Sequence, residues 1–139
     1  MKFKKFGSKY VVRIEKGEEI VTVLEKFCND NHIKLASLTG VGAVNKATVG
    51  VFEADTRAYN KKEITGDHEI TSLIGNVSEL DGKACLHIHV NLADVNCNVV
   101  GGHLNSAYVS VTCEIVFDVI DGIIDKKYNE EIGVNLLNI

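Results

Sequence analysis

An α+β domain with one main helix is the fold class this sequence predicts, and two patterns predict it. In "GEEIVTVLEKFCNDNH", Ile20, Val23, Leu24, Phe27 and Cys28 recur at i, i+3, i+4, i+7 and i+8, the apolar stripe of an amphipathic helix. Elsewhere apolar residues alternate with polar ones or form short β-branched runs, which are strand signals: "KYVVRI", "KLASLTGVGAV", "KATVGVFEA", "HEITSLIGNVSEL", "ACLHIHVNLA" and "AYVSVTCEIVFDVI". Six strand-like runs beside one helix belong to the α+β class.

The chain of 139 residues is 45% hydrophobic and shows neither repeat nor linker, so a single domain over 1–139 is expected. Proline is absent, which leaves Gly, Asn and Asp to make the turns. The segment "TGVGAV" lacks the spacing of a phosphate loop and precedes no helical pattern, so a tight bend or bulge is expected there. "MKFKKFGSKY" carries Lys2, Lys4, Lys5 and Lys9 but no apolar stretch or cleavage site of a secretory signal, and a cytoplasmic location is expected. Cys28, Cys85, Cys97 and Cys113 match neither a CxxC redox motif nor a zinc ribbon, and read as reduced thiols in mostly apolar settings. The net charge of −4 argues against broad nucleic-acid affinity, with the N-terminal lysine cluster as the local exception.

The chemistry concentrates at "LHIHV" and "GGHL". Alternation on a strand puts Cys85, His87, His89 and Asn91 on one face and Leu86, Ile88, Val90 and Leu92 on the other. The apolar face packs, and two imidazoles stand together on the face left over. The intervening "NLADVNCNVVGG" contains turn formers, so a hairpin would return His103 beside the pair, with Gly101 and Gly102 permitting close backbone approach. Three neutral imidazoles suit zinc and leave one position open to water or substrate, although ligand type alone does not exclude iron, nickel or manganese. The bland alternative is that these histidines are core or turn residues satisfied by hydrogen bonds.

Two further residues are candidates for catalysis. Glu114 interrupts the apolar "VTCEIVFDVI", where a buried carboxylate needs a partner such as a metal-bound water, a ligand histidine or Arg13. Glu69 reads as solvated, His32 as a capping residue at the end of the helix, and His68 as a surface turn residue.

Taken in order, "RIEKGEEI", "LTGVGAV", "HEITSLIGNV", "DGKACLHIHV", "GGHL", "TCEIVF" and "YNEEIGVNLL" resemble the PPC domain, known in bacteria and archaea as a PD1-like predicted DNA-binding protein. The resemblance covers nearly the whole chain. It implies a small α+β fold, mainly an antiparallel sheet packed with one main helix, assembly as a homotrimer, and in prokaryotic members a metal, zinc, at His87, His89 and His103. Plant members owe their DNA binding to an attached AT-hook built around Arg-Gly-Arg-Pro, and no such motif occurs here. A looser similarity to acetolactate decarboxylase, whose zinc is also held by an HxH pair and a later His, implies an enzymatic site.

The first expectation is therefore a homotrimeric zinc-binding PPC domain protein in DNA binding or regulation, without an AT-hook. The alternative is a zinc-dependent lyase or hydrolase acting on a small anionic or carbonyl-bearing metabolite, with Glu114 moving the proton and Arg13 holding a carboxylate through its two-pronged guanidinium. A third is a trimeric scaffold with a structural metal.

Overall fold

The stripe of Ile20, Leu24, Phe27 and Cys28 is buried along the single helix, α1 (Ile20–Asp30), in a computed structural model that describes residues 1–139. Eight strands accompany it: β1 (Lys2–Phe6), β2 (Lys9–Glu15), β3 (Ala36–Glu53), β4 (Ala58–Leu80), β5 (Lys83–Ala93), β6 (Val99–Val119), β7 (Lys126–Asn129) and β8 (Val134–Leu137). No helix is long and apolar enough to cross a membrane.

The first six strands form one antiparallel sheet in the order β1-β2-β6-β3-β4-β5, and β5 also pairs with β6. Strand β6 makes this closure possible because it is long enough to serve two neighbours along one edge. Its first part pairs with β5, from Ala93↔Val99 to His89↔His103, and its second part pairs with β2, from Glu15↔Thr112 to Lys9↔Asp118. Its other edge runs along β3. The sheet thus curls until β3, β4, β5 and β6 form a closed ring, with β2 and β1 as an extension and α1 packed on β5 and β6. The core fills the concave side and includes Phe27, Leu38, Leu73, Ile88, Leu92 and Phe117. Each such side chain contributes about 1.5–3 kcal/mol on burial.

The start of α1 is tied to the sheet by one carboxylate. Glu19 caps the helix, accepting hydrogen bonds from the backbone N–H groups of Val21 (3.0 Å) and Thr22 (2.7 Å), and accepts a third from Ala107 of β6 at 2.9 Å. At the other end Asn31 is the cap, donating from its side chain to the Phe27 carbonyl, and His32 stands just beyond it with φ 54°. The expected cap was therefore misplaced by one residue, because the amide side chain reaches the last-turn carbonyl.

The strand pattern held but its punctuation did not. "KLASLTGVGAV" and "KATVGVFEA" are one strand, β3, whose register shifts between Gly40 and Gly42 and again between Val44 and Lys46. The glycine-rich segment is a bulge, as its composition suggested. His68 is a half-buried strand residue rather than a turn, with Nδ1 at 2.9 Å from the Gly66 carbonyl oxygen. Strand β1, exposed along its whole length, and the short β7–β8 hairpin lack the alternation that would mark them. All four cysteines are free, and burial pushes the thiols of Cys28 and Cys113 up to about 12. These two are inert core residues.

Replacing Glu19 by alanine removes a cap and a helix-to-sheet link together, and should lower the unfolding free energy by about 1–3 kcal/mol in urea titrations. An unchanged midpoint would mean that the carboxylate does not hold the helix to the sheet.

Candidate metal centre

The β5–β6 hairpin builds the centre. In β5, Ile88 and Val90 are buried while His87 and His89 are exposed, which is the alternation of a strand with one face on the core. Antiparallel pairing then sets His103 of β6 directly opposite His89. Gly101 lets the strands approach this closely, since a Cβ there would collide with the Val90 carbonyl oxygen. The three rings stand 5.1–5.7 Å apart between centroids, and one nitrogen from each lies within 4.8 Å of the others.

These residues fit a metal ion. Zinc–imidazole bonds of about 2.0–2.1 Å at tetrahedral angles require nitrogens somewhat closer than this, a change that modest rotation of exposed side chains supplies. Partial desolvation by the residues around the rings, and then the charge of Lys126 for His87 and of the neighbouring imidazoles for His103, hold both rings below the ordinary histidine value of 6.5. They are neutral at neutral pH, the form in which an imidazole donates its lone pair.

The histidines open into a cavity of about 560 Å³. Its far walls come from β3, β4 and the C-terminal hairpin, which contribute Phe52, Tyr59, Lys126, Asn135 and Leu136. The Tyr59 ring stands edge-on to His103 at 6.1 Å, and its hydroxyl accepts a hydrogen bond from Asn105 at 2.7 Å. Gly50 makes room for it, because a Cβ at that position would strike the Tyr59 hydroxyl. No Asp or Glu lines the cavity.

The other candidate pair lies elsewhere. Arg13 and Glu114 are direct cross-strand neighbours on β2 and β6, in the part of β6 beyond its pairing with β5, and both face outward and are exposed. The guanidinium donates to Glu15 at 2.9 Å. Neither residue lines the cavity, so the structure does not bring them to the histidines of the same chain. The premise for Glu114 also fails, because β6 buries only alternate residues there and the carboxylate stays in water. Tyr59, Lys126 and Asn135 escaped the sequence reading: they reach the site from strands distant in sequence, and only the topology joins them.

Comparison with known proteins places the fold in a family. A family model, the Plants and Prokaryotes Conserved (PCC) domain, matches residues 1–121. The chain belongs to the PCC domain family. A search of curated proteins found no match. Among solved structures, a Bacteroides thetaiotaomicron protein described as a candidate DNA-binding protein is 33% identical, with a TM-score of 0.96 over 99% of this chain and 96% of its own. A metal-containing protein of Archaeoglobus fulgidus is 34% identical, with a TM-score of 0.87 over 99% of both chains. A plant- and prokaryote-conserved (PPC) protein of Pyrococcus horikoshii is 30% identical, with a TM-score of 0.84 over 97% of this chain and 94% of its own. The looser resemblance is one of fold: a Staphylococcus aureus protein similar to alpha-acetolactate decarboxylase is 14% identical, with a TM-score of 0.58 over 90% of this chain and 56% of its own.

The depressed proton affinities of His87 and His103 have a measurable sign. Below the ordinary histidine range the unfolded chain binds more protons than the folded one, so the metal-free protein should lose stability as pH falls from about 7 to about 5. Glu15 and Glu18, whose carboxyls are held low by Arg13 and the N-terminal ammonium, respond only at more acid pH. A His87→Gln, His103→Gln double variant should flatten the fall in urea titrations across this window; an unaltered slope would contradict the assignment.

Proposed function

We propose that this chain is a homotrimeric zinc protein, cytoplasmic, whose working centre is the three-histidine pocket, where a small ligand is bound in a regulatory role. The observation that carries the reading is the pairing of His89 with His103 and the convergence of His87 on the open side of a cavity. Three neutral imidazoles are a donor set suited to zinc, and the cavity leaves room for a ligand that a closed structural site would not. The metal content of the Archaeoglobus relative supports the same view. Zinc held there would supply Lewis-acid character to a bound oxygen atom.

Assembly is supported by the outer face of the sheet. Reading across the strands, Val11 pairs with Val116, Val116 with Thr39, Thr39 with Ile74, and Ile74 with His89. Directly paired residues share a face, so one row carries exposed Val11, Val116 and Ile74 up to the histidines. Exposed Val41 and Val111 widen the apolar area.

Catalysis at the same pocket, as a zinc-dependent lyase or hydrolase acting on a small anionic or carbonyl compound, is the second reading, and Tyr59 favours it. Its hydroxyl accepts from Asn105 and so keeps its own proton for a ligand, in a cavity without a carboxylate base. This reading needs neither Arg13 nor Glu114. DNA binding, the description given to the Bacteroides relative, rests here on Lys4 and Lys5 of β1, which form no ion pairs, whereas Lys2 and Lys9 face Glu15 and Asp118. An interaction of this kind weakens steeply with salt, and Lys4→Ala, Lys5→Ala should reduce the salt slope by about 2.

Elemental analysis of protein purified without a histidine tag should find about one zinc per chain, lost in His87→Ala, His89→Ala and His103→Ala; full zinc in the His89 variant would refute the centre. Sedimentation should give a trimer that Val116→Glu converts to monomer, since the substitution puts a charge into the apolar row. A monomeric wild type would refute the assembly.

A further inference from the structure

The β7–β8 hairpin lies beyond the residues matched by the family model, yet it supplies Lys126 and Asn135 to the histidine cavity. We propose that Lys126 is the anion-recognition residue of this pocket, and that the ligand carries a carboxylate beside the oxygen it presents to the metal. The inference rests on the three-histidine metal reading and specifies the chemistry of what binds there.

Charge is the first argument. The cavity holds the Lys126 ammonium beside the three imidazoles, with no Asp or Glu to balance it. Lys126 itself forms no salt bridge, unlike Lys26, Lys34 and Lys46. A half-buried ammonium without a counter-ion, beside a site for a dication, favours an anion from solution.

Position is the second argument. The hairpin is fastened rather than free: Arg57 donates to the Glu131 carbonyl at 2.7 Å and Glu79 N–H to the Ile124 carbonyl at 2.9 Å. Lys126 follows directly on these anchors, so its backbone starts from a fixed place and no segment has to be ordered on binding. Asn135 adds an amide to the same wall, beside the apolar side chains of Val51, Phe52 and Leu136. A lysine gives a point charge rather than a two-pronged fork, matching a carboxylate that also engages other groups.

The test uses the full chain loaded with cobalt(II), whose visible absorption reports on its ligands, titrated with glycolate and with its neutral amide, glycolamide. Wild-type protein should bind glycolate more tightly. Lys126→Met should weaken glycolate about tenfold or more while leaving glycolamide unchanged, and Lys126→Arg should retain most of the difference. Circular dichroism confirms that each variant is folded. Glycolate binding that ignores Lys126, or equal losses for both compounds, would overturn the inference. If cobalt gives no absorption bands that depend on His89, the metal reading itself fails and this inference with it; bands that persist without a preference for the anion refute the inference alone.

Discussion

The pairing of β5 with the first part of β6 is the constraint on which the rest depends. It closes the sheet, and it sets His89 opposite His103. A slip of one residue would turn His103 toward the core and Leu104 toward the cavity, exposing a buried leucine and burying an imidazole. The register that packs Ile88, Val90, Leu92 and Leu104 is therefore the register that assembles the candidate centre. Stability and function are selected by one alternation, so the site needs no separate energetic support from the hairpin.

Much of this was legible in the chain because strands and amphipathic helices announce themselves by period. Ile20, Leu24, Phe27 and Cys28 marked the helix, and Ile88 and Val90 fixed which way His87 and His89 face. The hairpin to His103 followed from Asn, Asp and Gly in the intervening segment. The remainder depended on distance through space. Lys126 sits in a four-residue strand too short for a period, and Tyr59 reaches His103 only because β4 and β6 flank β3, where Gly50 leaves room for the ring. Glu114 failed for a different reason: an apolar run suggested burial on both faces, whereas the strand is wet on one.

That wet face links the site to its surroundings. Exposed valines and isoleucine lead across the sheet to the histidines. On the other side of the histidines the C-terminal hairpin brings a lysine and an amide, and no carboxylate opposes them. The proposed metal ion, anion and neighbouring copy would each complete a surface that one chain leaves open, and they would meet around His89.

X-ray absorption at the zinc edge of the loaded protein tests the central claim most directly. The account predicts four light-atom neighbours at about 2.0–2.1 Å, with the outer-shell scattering of three imidazoles. A sulfur neighbour at about 2.3 Å, or a shell without imidazole, would contradict it, since the metal would then not be held by the three histidines alone.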